Sequence, residues 1–180
     1  MEIIGAILVW GLLFRSQRKH DAYTEGYLPI GTGFRKFSYS ELKKATHGFS
    51  QEIGRGGGGI VYKGKLSDNR VAAIKRLNLA SSQGEEEFLD EVSVIGRLNH
   101  MNLIKMWGYC AEGKHRLLVY EYMENGTLAE NLRSKALDSN TRFSIALGMA
   151  RGLAYLHEEC LEWILHCDIK PRNILFGYDY

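Results

Sequence analysis

The stretch IGRGGGGIVYKG, Ile53–Gly64, holds four consecutive glycines, Gly56 to Gly59, between runs of strand-forming residues. No other feature narrows the fold as much, because glycines without a fixed flank make a linker, whereas glycines clamped between strands make a loop of defined use. Three readings compete: a flexible linker, a dinucleotide-binding turn, and a hairpin that covers phosphate. Gly54, Gly56 and Gly59 satisfy G-x-G-x-x-G. In a dinucleotide-binding turn the third glycine opens a helix, and an acidic residue follows about 20 positions on. Here the loop runs instead into the β-branched and aromatic Ile60-Val61-Tyr62, then Gly64 and more strand-like sequence. The pattern predicts a β-hairpin whose backbone N–H groups can approach phosphate oxygens without a Cβ in the way.

A phosphate cover needs a cation beneath it. IVYKGKL and RVAAIKRL are separated by the turn cluster Ser67-Asp68-Asn69 and should pair as antiparallel strands. Period-2 alternation puts Val71, Ala73 and Lys75 on one face. A small residue at Ala73 leaves room for a flat base, and Lys75 can reach the phosphates. Sixteen residues later Glu91 can hold that ammonium in place. Glu85, Glu86 and Glu87 are rivals, but Glu91 alone lies beside Val92 and Ile95 on the apolar stripe of the predicted helix Glu85–Leu98. HCDIKPRNIL, His166 to Leu175, then supplies phosphoryl-transfer chemistry. Asp168 can accept the proton of an acceptor hydroxyl, Lys170 can neutralise the γ-phosphate, and Asn173 can bind Mg²⁺.

Between these motifs the chain reads as short alternating elements. Ser38 and Glu41 form an S-x-x-E box that opens a helix through about His47. Strands are expected at Leu103–Tyr109 and Arg116–Met123. Thr127 and Glu130 form a second capping box, and a longer helix covers about Thr141 to Glu159, with Ala146, Ala150, Leu153 and His157 near one face.

At 180 residues, with 45% hydrophobic and 24% charged residues, the chain has the balance of one globular domain plus appendages. A formal net charge of +2, with basic residues spread among acidic ones, gives no nucleic-acid signal. Three cysteines without a C-x-x-C spacing argue against a disulfide framework or structural zinc, and suit a reducing compartment. Ile3–Phe14 is a 12-residue apolar run followed by RSQRKH. As a helix it covers about 18 Å against about 30 Å of hydrocarbon, too short to span alone. Basic residues after the run resemble the cytoplasmic end of a transmembrane helix, the alternative being a buried helix of a soluble protein. The resulting division is residues 1–14 as the C-terminal part of a membrane span, 15–48 as a juxtamembrane segment, and 49–180 as the catalytic-type domain.

Taken in order, these motifs resemble a eukaryotic-type protein kinase domain from about Phe49 onward. DIKPRN, with lysine after the aspartate, resembles Ser/Thr kinases. FSYSELKKATHGFS, LLVYEYMENGTLAENL and ARGLAYLHEEC resemble plant receptor-like kinases, and IGRGGGGIVYKG with HCDIKP is similar to the S-domain (G-type lectin) branch. The resemblance implies an α+β fold: a small lobe of antiparallel sheet plus one helix, followed by a truncated helical large lobe. It implies ATP and Mg²⁺ as cofactors, a plasma-membrane single-pass receptor with a cytoplasmic kinase part, a protein substrate, and a receptor as partner. Ile53, Gly54, Arg55, Gly56, Gly57, Gly58, Gly59, Val61, Ala73, Lys75 and Glu91 would form the ATP site with Leu175. Tyr120 would be the gatekeeper, Glu121 to Met123 the hinge, and His166 a structural residue.

Four features depart from the family pattern. Cys167 replaces the arginine that usually follows the histidine, so regulation through that arginine and a phosphorylated loop should be absent. Ser139 stands where tryptophan is usual, NILFGYDY replaces the usual continuation, and the sequence ends seven residues after Asn173, before a D-F-G motif. Two functions follow: an ATP-dependent Ser/Thr kinase, or a non-catalytic membrane-tethered module that binds nucleotide or a partner receptor. Without the D-F-G aspartate the 180-residue chain is expected to transfer phosphate negligibly, while weak nucleotide binding stays open to a folded chain that holds the glycine hairpin, Lys75, the hinge and Leu175.

Overall fold

A computed structural model describes residues 5–7, 34–78, 82–133, 137–160 and 164–177. Its elements are β1 (Gly5–Ile7), β2 (Arg35–Lys36), α1 (Tyr39–Ala45), β3 (Glu52–Gly56), β4 (Gly59–Lys65), β5 (Val71–Leu77), α2 (Ser82–Val94), β6 (Met106–Glu112), β7 (His115–Glu121), α3 (Leu128–Arg133), α4 (Ser139–Ala154) and β8 (Ile174–Phe176). They fall into two compact units, a sheet unit within Glu25–Leu98 and Lys105–Tyr122, and a helical unit formed by the rest.

The sheet unit is a six-stranded sheet of order β2-β6-β7-β5-β4-β3. All its pairings are antiparallel except β2 with β6, which is parallel. The β4–β5 hairpin turns where the sequence predicts it: Asn69 takes a positive φ, and the Asp68 carboxylate accepts from the Arg70 N–H at 3.1 Å. Alternation along β5 and β7 then divides the sheet into two faces. Ala72, Ile74, Leu117, Val119 and Cys110 join one apolar core with Phe37, Leu42 and Ala45 from the α1 arm. Ser38 caps α1 by accepting the Glu41 N–H, while the Glu41 carboxylate turns to Arg35 rather than back to the cap. β2 reaches β6 because Gly108 has φ +151°, and a Cβ there would stand 1.8 Å from the Arg35 carbonyl oxygen. Within the stretch 15–48 expected as juxtamembrane, the described residues from Phe34 belong to the sheet unit, and Phe37, Leu42 and Ala45 join its core.

The opposite face carries Val61, Ala73, Lys75, Leu118 and Tyr120, in register across β4, β5 and β7. α2 packs on this side through Phe88, whose ring meets Tyr109 edge-on, and buries Val92 and Ile95 as expected. It starts at Ser82 rather than Glu85, and tightens to a 3-10 turn at Ile95–Arg97 around Gly96 instead of running to Leu98.

In the helical unit, the Asp138 side chain caps α4 by accepting the Thr141 N–H at 2.7 Å. The helix relaxes into a π turn at Tyr155–Glu159. Its buried positions are Ile145, Gly148 and Gly152, then Leu156 in the π turn, and Ala146, Ala150 and His157 are exposed. The face expected from the sequence was misplaced because two of its true members are glycines, which carry no hydrophobic signal. Leu137 and Ile145 bury Ile174 and Phe176 of β8, with Leu128 and Met149 packed alongside. The box at Thr127 is complete: its N–H donates to Glu130 Oε2, and the Glu130 N–H donates to its hydroxyl. The strand expected at Leu103–Tyr109 begins only at Met106, since Leu103 and Ile104 are buried in a turn closed by Leu103 N–H on the His100 carbonyl.

Of the apolar run Ile3–Phe14, only Gly5–Ile7 is described, as a strand antiparallel to β8. The remainder of the expected span and the RSQRKH flank lie outside the described residues. Among the described residues no helix is long and apolar enough to cross a membrane.

Candidate active site

The glycine run folds as the β3–β4 hairpin, with Gly57-Gly58 as its turn and Gly56 paired with Gly59. Gly59 has φ +141°, and a Cβ there would stand 2.2 Å from the Arg76 carbonyl oxygen, so no other residue fits without moving β5. A Cβ on Gly58 would lie 3.7 Å from Cε of Lys75. The turn thus lies against the lysine with no side chain between them. Ile53 is 41% exposed at the start of β3, and Arg55 is tied to Glu52 on the solvent side at 2.6 Å.

Lys75 is only 6% exposed, and its Nζ donates to both carboxylate oxygens of Glu91 at 3.2 and 2.8 Å. Among the four glutamates considered, the structure brings Glu91 to the lysine. Glu85 pairs with Arg116 at 2.9 Å, and Glu86 and Glu87 are exposed. Glu91 has a further donor: the Tyr120 hydroxyl donates a hydrogen bond to Oε1. Burial, reinforced by that carboxylate, holds the Tyr120 phenol well above its ordinary pKa, so it remains a donor. Ala73 sits opposite Tyr120 and Val61 opposite Lys75. At the end of β7 the Glu121 N–H donates to the Lys105 carbonyl, and Tyr122 lies under the Lys63 ammonium at 4.4 Å.

In the helical unit, Pro171 opens a 3-10 turn, Pro171–Asn173, that closes the loop around Asp168. Lys170 Nζ donates to Asp168 Oδ2 at 2.6 Å, and Asn173 Nδ2 donates to the same oxygen at 3.0 Å and to the Asp168 carbonyl at 2.8 Å. His166 is buried, and its Nδ1 accepts the Asp168 N–H at 3.3 Å. Chiefly through Lys170, the Asp168 carboxyl is held below the usual carboxylate range. Cys167 is exposed, and Asn173 is buried where the loop enters β8. Leu175 bridges to Thr127, and a Cβ on Gly177 would lie 3.6 Å from the Met123 sulfur, so β8 runs beside the segment that follows β7.

A glycine hairpin over a lysine–glutamate pair, followed by an aspartate–lysine–asparagine loop, matches a known family. The protein kinase domain family matches residues 48–179. The chain belongs to the protein kinase family. It is 57% identical over 86% of its length to ZmPK1 of Zea mays, named as a receptor protein kinase, and covers 19% of that protein. It is 51% identical over 80% of its length to a G-type lectin S-receptor-like serine/threonine-protein kinase of Arabidopsis thaliana, covering 17% of it. A second Arabidopsis kinase of that name, SD2-2, is 45% identical over 99% of the chain, which covers 24% of it. This kinase chain therefore spans about a fifth of the length of these relatives. The family match begins at residue 48, although the kinase sheet takes core residues from as early as Phe37.

Two contacts have little signature in the sequence. One is the hydroxyl of Tyr120 on Glu91, the tyrosine being a candidate by resemblance alone. The other is Arg116, whose one signal was a charge within the apolar run RLLVYEY, two alternations before Tyr120.

Proposed function

We propose that this chain contributes the nucleotide site and catalytic loop of a receptor-like Ser/Thr protein kinase that transfers the ATP γ-phosphate to protein hydroxyls. The observation that carries the reading is the buried Lys75 held by both oxygens of Glu91 beneath a side-chain-free turn. That cation is fixed in direction before any phosphate arrives, which is how positioning catalysis lowers a barrier without new covalent chemistry. Ile53, Val61, Ala73 and Leu175 are assigned to the base, and Glu121 and Met123 to its hydrogen-bonding edge. Gly54, Arg55, Gly56, Gly57, Gly58 and Gly59 are assigned to the phosphates.

Asp168, ionised and hydrogen-bonded by Asn173 and Lys170, suits a carboxylate that orients an acceptor hydroxyl and takes its proton as the hydroxyl oxygen bonds the γ-phosphorus and the bond from that phosphorus to the departing ADP oxygen breaks. A depressed carboxyl is a poor base in the ground state, so its work falls in the transition state. With its amide nitrogen spent on Asp168, Asn173 presents a carbonyl oxygen, and a hard oxygen donor beside a carboxylate suits Mg²⁺. A bound magnesium ion would neutralise phosphate charge there. Lys170, now on Asp168, is assigned to the transferred phosphate. The apolar Ile3–Phe14 run followed by basic residues, together with the receptor names of the relatives, supports a membrane-anchored receptor whose kinase part is cytoplasmic.

The test is phosphate transfer from labelled ATP to casein by the full-length natural protein, with phosphoamino-acid analysis. Phosphoserine or phosphothreonine formation that vanishes in Asp168→Asn and Lys75→Met is expected. Transfer that persists in Asp168→Asn would overturn the assignment.

A further inference from the structure

The alternation of β7 sends Arg116, Leu118 and Tyr120 out on one face of the strand. That face meets α2, on which Glu85, Phe88 and Glu91 follow one another at single-turn intervals. The two elements touch at both ends of this stretch. At one end Tyr120 and Lys75 share Glu91. At the other, Arg116 donates from Nε to Glu85 Oε1 at 2.9 Å, and its Nη2 lies 2.9 Å from the same oxygen. Its guanidinium carbon sits 5.5 Å from the centroid of the Phe88 ring. The remaining nitrogen, Nη1, donates to the carbonyls of Gly113 and His115 at 2.9 and 3.1 Å, which anchors the guanidinium to the β6–β7 turn. The Arg116 side chain is only 18% exposed, so the guanidinium is held against the helix and the turn, while Glu85, at 44%, keeps its carboxylate partly in solvent.

We infer that Arg116 is a positioning residue: by pinning the first turn of α2 to β7, it fixes the rotation of the helix so that Glu91 meets Lys75. The inference rests on the kinase reading, in which Lys75 must be held for phosphate transfer. A helix tied at one point can pivot about it. A second tie six residues away, about 9 Å along the axis, removes that freedom. Arg116 suits this role better than a lysine would, because its planar fork engages the helix and the turn carbonyls together.

The experiment compares wild type, Arg116→Ala, Arg116→Glu, Glu85→Arg and the double swap Arg116→Glu/Glu85→Arg in the full-length protein. Casein phosphorylation and hydrogen exchange of the α2 amides are both measured. Arg116→Ala should lower kcat about tenfold, the worth of one charge-assisted hydrogen bond. KM for ATP should change less, and exchange across Glu85–Glu91 should quicken while β5 keeps its protection. Each single reversal should be at least as impaired, and the swap should recover most of the loss. Where Arg116→Ala fails to fold, Glu85→Ala at the more exposed partner reads the same contact. An active wild type whose kcat and α2 exchange ignore these substitutions, or a swap no better than its single reversals, would overturn the clamp. Absence of Asp168-dependent transfer in wild type would overturn the kinase reading instead, and α2 exchange would still report whether Arg116 holds the helix.

Discussion

The two faces of the kinase sheet are built from alternate residues of the same strands, yet they are held by different physics. Toward α1, Ala72, Ile74, Leu117 and Val119 pack with Phe37, Leu42 and Ala45. These side chains are apolar, and their packing depends on volume and shape. Toward α2, Lys75, Tyr120 and Arg116 each meet a carboxylate of one helix. That contact requires matched partners, and losing one strands the other. A single residue step along β5, from Ile74 to Lys75, separates a face that tolerates exchange of apolar residues from one that tolerates little.

The largest effect should come from the apolar face. Phe37→Ala, at a ring 1% exposed, should cost about 3–5 kcal/mol in urea unfolding, with the nucleotide affinity of the folded fraction retained. A cost under about 1 kcal/mol would show that the α1 arm is dispensable and that the two faces are not equals. Converting the second face into a copy of the first is the sharper trial. The triple variant Lys75→Met, Glu91→Leu, Tyr120→Phe removes Glu91 and both its partners together and leaves Arg116–Glu85 in place, so stability should stay within about 1–2 kcal/mol of wild type. Phosphate transfer should fall at least about 100-fold, equivalent to about 2.7 kcal/mol of barrier. Marked unfolding of this variant would mean that the polar face also carries the fold.

Tyr120→Phe alone should be milder, costing about 1.5 kcal/mol because a donor to a charged group is lost while Lys75 still answers Glu91. Thermal melts beside kcat measurements would check it. The smallest effect on stability lies outside the sheet, where partners meet in solvent. Lys170 is the main reason the Asp168 carboxyl is depressed, so Lys170→Ala should raise that pKa toward the ordinary range. A depressed carboxyl contributes stability above its unfolded pKa and loses it as pH falls through the folded value. The acid limb of kcat/KM should accordingly move to higher pH in the variant. A limb that does not move would remove Lys170 as the cause.

What the sequence reveals follows the same division. Turn chemistry and alternation were enough for the β3–β4–β5 meander, because Gly59 and Asp68-Asn69 leave few other conformations. The caps at Ser38 and Thr127 were legible, since a Ser or Thr followed by Glu three residues on has a local mechanism, but only Thr127 forms the reciprocal box, because Arg35 draws the Glu41 carboxylate away. Glu91 could be preferred over its three rivals because a lysine partner had to lie at the edge of a buried stripe. The buried face of α4 was not legible, because Gly148 and Gly152 are read by what packs on them and not by their own hydrophobicity. Nor was the start of β6, where Leu103 and Ile104 are apolar for burial in a turn. Arg116 stayed hidden since its partner, Glu85, is 31 residues away and one of three adjacent glutamates.

Gly108 has a consequence of a mechanical kind. By admitting the Arg35 carbonyl it lets the chain enter the sheet alongside β6, where the Phe37 N–H bonds to the Tyr109 carbonyl at 2.8 Å and the Tyr39 N–H to the Glu112 carboxylate at 2.8 Å. A pull applied upstream of Phe34 would load those bonds and the packing of Phe37 with Leu42 first, and would pass from there into β6 and its neighbour β7, the strand that carries Arg116 and Tyr120. A larger residue at 108 would move the first load-bearing joint further down the chain and uncouple the strand from any pull upstream of Phe34.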